Sequence, residues 1–304
     1  MRGIKRKMSD AGGQHIYQNT MRGILLFYSD EDRIVYLTLF KVLSVKYGIQ
    51  VLTLDLMYNH THYLIEDPTL EIMARFNGEL ASRYAMAFNR DCGRKGPLFK
   101  KAYGNSPKRG DKQVRTSIAY TSNNSVEKHL FARPEQDRWT FLAYLQSAHP
   151  FSEKIDMDKA SKRMRRALSL LKTLSGKNIP LSYTYVRKLF AGLDDKETLQ
   201  MKDAIIGAYM PLNKDLLLSY YKSYDDMILA INSNTGSEYD MKEDFDDTSH
   251  ISYRDMLSII AKSSFADNPK SILLASPSTK KQIADVLARM TGAKYGLIRR
   301  VLDL

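Results

Sequence analysis

One cysteine, Cys92, stands in 304 residues, so neither an intramolecular disulfide framework nor a cysteine-rich zinc site can be built from this chain. No uncharged apolar stretch reaches the ~18 residues of a membrane-spanning helix. The opening MRGIKRKMSD is basic, but no apolar run follows it, and no signal peptide is expected there. There is no G-x-x-x-x-G-K-[ST] loop to cradle a nucleoside triphosphate. Acidic residues are scarce beside basic ones, 34 Asp+Glu against 46 Lys+Arg, a formal charge of +12. Hydrophobic residues at 43% and aromatics at 10% exclude a wholly disordered chain. The expectation is a soluble, cytoplasmic protein of about two domains whose partners are polyanions, nucleic acid first, and no membrane.

The positive charge is concentrated. Residues 1–150 carry 22 Lys+Arg and 14 Asp+Glu (+8), residues 151–304 carry 24 and 20 (+4), and the segment 83–115 holds ten basic residues against Asp91 and Asp111. The stretch 238–247, EYDMKEDFDD, leans the other way with six acids, and 237–250 reads as a flexible linker.

The first half alternates between strand and helix patterns. Strands are expected at 15–22, 49–57, 60–66 and 96–104, with Tyr58-Asn59 as the bend of a hairpin. Helices are expected at 30–48, with Asp30 as N-cap and Gly48 as the stop, at 68–93 and at 111–131, and 105–111 reads as a basic loop. This order suggests an α+β fold: an antiparallel sheet with helices on one face. The second half loses the strand signals, with helices expected at 156–176, 182–192, 195–210, 213–236, 251–263 and 277–292. A domain boundary is placed near residue 150, giving a 1–150 domain and a helical 151–304 domain.

Two spacings carry chemistry. His60-Thr61-His62 on a strand puts both imidazoles on one face, the geometry two nitrogen ligands of a divalent metal need; packed strand histidines have the same pattern. Tyr120 and Asn124, four apart on a helix, place a phenol and a neutral amide on one face; a half-buried core tyrosine would look the same. A phenol is a weak nucleophile at neutral pH, and a metal-polarised phosphodiester offsets that weakness. His15 on the first strand could approach such a centre, while Asp55 and Glu66, flanking the pair, receive no role.

These pieces occur in the order of a known family. LDLMYNHTHYLIE (54–66) resembles the histidine-pair strand of the HUH superfamily of single-tyrosine transposases, and most of all the REP-associated tyrosine transposases. HIYQNTMRG (15–23), SDEDRIVYLTLF (29–40), YAMAFNRDCGRKGPLFKKAYG (84–104) and SIAYTSNNSVEKHLFARPEQDRWTFLAY (117–144) resemble the other blocks, so the resemblance spans roughly 14–145. It departs at Thr61, where an apolar residue is usual, and at Ser125, where proline is common.

The resemblance implies a ferredoxin-like HUH fold followed by a mainly helical region. It also implies Tyr120 as nucleophile and His60, His62 and Asn124 as ligands of Mg²⁺ or Mn²⁺. The activity implied is a metal-dependent endonuclease and strand transferase acting on single-stranded or hairpin DNA, through a 5′-phosphotyrosine link with a free 3′-hydroxyl. A domesticated relative that holds DNA hairpins without cutting is the alternative. RNA binding on a ferredoxin-like sheet is a third class, disfavoured because no RNP-type aromatic run is present.

Arg94, Lys95, Lys100, Lys101, Arg109 and Arg115 are candidate DNA-phosphate contacts, with Phe99 and Tyr103 as candidate stacking platforms. The stretch 279–302 resembles a helix-turn-helix presenting Lys294, Tyr295, Arg299 and Arg300. Whether the chain is a monomer or a homodimer is left open by the sequence.

Overall fold

The computed structural model describes residues 12–66, 68–100, 103–233, 249–263, 265 and 268–304. Four antiparallel strands, β1 (Gly12–Asn19), β2 (Val51–Met57), β3 (His60–Glu66) and β4 (Gly104–Arg109), form a sheet in the order β2-β3-β1-β4. Every β2 residue is buried, and β3 is buried up to its last residue, as strands covered on both faces must be. The two make the expected hairpin through Tyr58-Asn59, with His62 opposite Asp55 and His60 opposite Met57.

Two helices cover one face, as expected. α1 (Asp30–Lys46) starts from a capping box in which Ser29, not Asp30, is the N-cap and Asp32 reaches back to it. It stops before Gly48, whose φ of 65° a side chain would resist. α2 (Leu70–Cys92) is capped by Thr69, whose side chain accepts from Ile72 N, and ends at the left-handed Gly93. From this layer Phe40 and Phe76 pack edge-on against Tyr63, and Asn77 accepts from the Tyr63 hydroxyl. Thr61 belongs to the same face: its hydroxyl lies 3.2 Å from Tyr36 Oη, which is how a threonine fits where an apolar residue is usual. The opposite face, carrying His60, His62 and Asp55, is covered by α3 (Gly110–Glu127).

The fourth strand lies further along the chain than the sequence suggests. Of the expected strand 96–104, the described residues before Gly104 contribute one isolated bridge, Thr20 to Phe99; Gly104 instead opens the pairing strand GNSPKR, whose remaining residues fall in the expected loop 105–111. Its proline, Pro107 opposite Gln14, lacks the N–H an inner strand would need, and it is tolerated because β4 is the sheet's edge. Gly104 fixes the register: a Cβ there would sit 1.9 Å from Tyr17 Cζ on the neighbouring strand.

Residues 162–302, where described, are helices joined by short loops: α4 (Lys162–Gly176), α5 (Tyr183–Phe190), α6 (Asp195–Ala208), α7 (Lys214–Ser219), α8 (Tyr224–Ser233), α9 (Ser249–Lys262), a 3-10 turn at Pro269–Leu274, α10 (Pro277–Thr291) and α11 (Tyr295–Leu302). The single helix expected over 213–236 is two, α7 and α8. Most of the acidic stretch assigned as a linker lies outside the described residues, but its last residue, His250, is in α9. Buried polar ties join these helices to the sheet and its flanking layers: Tyr28 Oη donates to Val301 O at 2.9 Å, Asn123 to Ile231 O at 2.6 Å, and Asn213 N to Val51 O at 2.8 Å. No helix among the described residues is long and apolar enough to cross a membrane.

Candidate active site

The site is assembled by strand register. Tyr17 lies opposite His62 on β1, Asp55 opposite His62 on β2, and His15 two residues before Tyr17, so all share the face beneath α3. On that face the His15 and His62 rings are stacked, 5.3 Å apart and 5° from parallel, with His62 Nδ1 3.2 Å from His15 Nε2. His60 stands perpendicular to His62 at 4.8 Å. The Tyr120 ring meets His15 and His62 edge-on, at 5.8 and 6.0 Å. One turn later on α3, Asn124 Nδ2 donates to Asp55 Oδ2 at 2.9 Å. The i,i+2 and i,i+4 spacings therefore bring His60, His62, Tyr120 and Asn124 to one place.

Burial sets the electrostatics. His15, His60, His62, Asp55 and Asn124 are all buried, and Tyr120 is 6% exposed. Loss of hydration, with the Lys128 ammonium nearby, pushes the His62 imidazolium down to about 3. The same burial, then His62, His250 and Lys128, hold His60 well below its ordinary range, and burial, His62 and Lys108 do so for His15. At neutral pH the three rings are neutral. His60 Nδ1 lies 2.7 Å from Asn59 Oδ1, an acceptor, so the proton is on Nδ1 and the lone pair on Nε2.

Among the described residues no three or more His, Cys, Asp or Glu side chains are grouped to hold a metal ion. A cation here would rest on two imidazoles, His60 and His62, and on the Asn124 carbonyl oxygen, since the amide nitrogen is used on Asp55.

Three participants carry no assigned role in the sequence reading. Asp55 is one; the pairing register across the Tyr58-Asn59 bend sets it opposite His62, on the histidines' face. Lys128 caps the C-terminal end of α3. His250 comes from α9, its ring 5.6 Å from His60 and 6.0 Å from Tyr58, and no sequence signal links it to them.

The basic candidates are spread out. Lys95, Lys100, Arg109 and Arg115 are exposed, and Arg115 reaches Tyr220 O at 3.5 Å. Arg94 is half-buried in an ion pair with Asp303 at 3.2 Å and also donates to Asn89, Gly96 O and Pro97 O. Lys101 lies outside the described residues. Phe99 and Tyr103, the candidate stacking platforms, are both buried, and Phe99 packs against Tyr84. The expected helix pair is α10 and α11, separated at the left-handed Gly292. Lys294, Tyr295, Arg299 and Arg300 are exposed on it, while Arg300 donates to Tyr253 Oη and Arg299 to Leu304 O, each at 3.2 Å.

No protein-family model matches the chain, and no curated protein matches it. Among solved structures, a REP-associated tyrosine transposase bound to a REP hairpin is similar over 53% of this chain and 96% of its own, at 12% identity and a TM-score of 0.38.

Proposed function

We propose that this chain acts on single-stranded or hairpin DNA as a tyrosine transposase, cutting one strand through a covalent 5′-phosphotyrosine. The observation that carries the reading is the convergence of Tyr120 with His15 and His62 on the sheet face that also holds His60 and the Asn124–Asp55 pair. The ordered sequence blocks and the +12 charge support it, the latter because phosphate contacts dominate DNA affinity.

In this reading Tyr120 Oη attacks phosphorus. The new O–P bond replaces the bond to the 3′-oxygen, which leaves as a hydroxyl with a proton from water, and the phenolic proton passes to water. The energy kept in the phosphotyrosine serves strand transfer without a nucleoside triphosphate. The donors fit a divalent cation: two neutral imidazoles, one with its Nε2 lone pair fixed by Asn59, and an amide oxygen oriented by Asp55. When bound there, Mg²⁺ or Mn²⁺ would polarise the scissile phosphodiester. Asp55 acts as a positioning residue through Asn124.

A second reading, a hairpin-binding protein that does not cut, is favoured by the burial of Tyr120. One experiment separates the two. Wild-type protein incubated with a hairpin oligonucleotide and Mn²⁺ should form an adduct that survives SDS and carries the label from the DNA 3′ of the cut. Tyr120→Phe, which keeps the ring and removes one oxygen, should bind and form none. An adduct that persists in Tyr120→Phe moves the nucleophile elsewhere. Tight binding by wild type with no adduct selects the second reading.

A further inference from the structure

A groove of about 360 Å³ opens between α4 and α5, with Arg163, Arg166 and Lys188 on its rim and Ala167, Leu170 and Leu189 on its floor. No acidic residue lines it. The charge of α4 is equally one-sided: Lys162, Arg163, Arg165, Arg166 and Lys172, with no Asp or Glu from 162 to 176. Three of these stand in its first four residues, where the helix dipole favours acids, so helix stability does not account for them.

Nor does internal pairing. Arg187 is neutralised by Glu31 and Asp91, whereas none of Lys162, Arg163, Arg165, Arg166, Lys172 and Lys188 forms an ion pair among the described residues. Arg163 donates to Gly192 O at 3.2 Å, and a Cβ at Gly192 would lie 2.0 Å from its Nη1. Arg165 donates to Met157 O at 3.3 Å. Arg166 and Lys188 are exposed and make no hydrogen bond among the described residues.

We infer that this groove is a second nucleic-acid surface, taking unpaired nucleotides with their phosphates on the rim and their base faces against the apolar floor. Cations without acids select a polyanion. α5 has eight residues, roughly 12 Å of helix, short against the several turns an amphipathic protein helix docks. α5 lies on the α1 side of the sheet, where Tyr183 Oη donates to Asp32 at 2.7 Å and Leu181 N to Thr38 Oγ1 at 3.0 Å. Tyr120 is on the other side. The groove would therefore hold strand flanking a hairpin rather than the hairpin itself, and both that flanking role and the choice of DNA over RNA rest on the function proposed above.

The test is Arg166→Gln/Lys188→Gln, measured by fluorescence anisotropy on an oligothymidine strand across a salt series, with the hairpin adduct assay run beside it. Two lost contacts should lower the log–log salt slope by about 1.4 and weaken oligothymidine binding about 25-fold near 0.1 M salt. The hairpin adduct should be unchanged. Equal binding of oligothymidine by wild type and variant, or binding by neither, overturns the inference whether or not the adduct forms. If the variant instead loses an acidic peptide while oligothymidine binding is unmoved, the groove serves a protein partner and the inference is overturned. Absence of the adduct in wild type, with the oligothymidine difference present, removes the proposed cleavage and leaves the groove standing.

Discussion

Replacing Lys270 by methionine should destabilise this protein strongly, because its ammonium is a buried partner of two carboxylates. The ammonium is 2% exposed and lies 2.6 Å from Asp32 Oδ1, 2.9 Å from Asp91 Oδ2 and 3.7 Å from the centre of the Tyr183 ring. Asp32 is wholly buried and saturated: Oδ2 accepts from Tyr28 N and Ser29 N at 2.8 and 3.1 Å, and Oδ1 from Tyr183 Oη and Lys270 Nζ. Methionine keeps the apolar stem of the lysine and removes the charge, so the buried Asp32 carboxyl keeps only its three neutral donors, Tyr28 N, Ser29 N and Tyr183 Oη. Breaking one side of a buried pair costs about 3–5 kcal/mol. With m near 3 kcal/mol/M, the urea midpoint should fall by roughly 1–1.7 M. The double variant Asp32→Asn/Lys270→Met should lose clearly less than the two single variants added together, because the second change removes the stranded charge. A midpoint shift below about 0.3 M, or strict additivity, would refute the claim that this cluster ties the C-terminal helices to the start of α1.

Gly104→Ala should cost roughly 1–3 kcal/mol and alter the near-UV spectrum, since the new methyl must displace the Tyr17 ring beside His62. Thr61→Val leaves Tyr36 Oη buried without its recorded partner and should cost about 1–3 kcal/mol in thermal or urea unfolding; Tyr36→Phe on that background should add little. Lys100→Ala should reduce the single-strand salt slope by about 0.7, and an unmoved slope assigns the phosphates elsewhere. His60→Ala and His62→Ala should each abolish the Mn²⁺-dependent adduct while the circular dichroism spectrum keeps its helical content.

The parts of the fold readable from sequence were those written in local pattern. The β2–β3 hairpin, α2 with its proline-threonine entry and glycine exit, and the i,i+4 spacing on α3 needed only periodicity and caps. β4 was missed because GNSPKR has the composition of a turn. Its pairing is imposed by β1 and by the close approach of Gly104 to Tyr17, not by strand propensity. The long helix expected over 213–236 breaks at residues 220–223, Tyr-Tyr-Lys-Ser, where the chain turns between α7 and α8. Phe99 and Tyr103 looked suited to stacking because their residue types fit, and only tertiary packing shows that they face inward. His250 was illegible for the same reason: nothing local to an acidic stretch announces a ring that packs against His60.

The candidate site depends more on register than on any one of its residues. Asp55, His62 and Tyr17 form one cross-strand row, and His15 lies one pair further along β1. Side chains alternate with period two, so a one-residue slip of β3 against either neighbour would turn both histidines into the α1–α2 layer and Thr61 and Tyr63 toward α3. The core opposes that slip from the far side. Tyr63 fills the space between Phe40 and Phe76 with its hydroxyl on Asn77, and Thr61 meets Tyr36, contacts that imidazoles on that face could not reproduce. Threonine between the two histidines is therefore part of what aims them, a polar key on the buried face that holds the catalytic candidates on the other. Under the function proposed above, loss of a reacting group would be one way to silence the site, and loss of this register would be another.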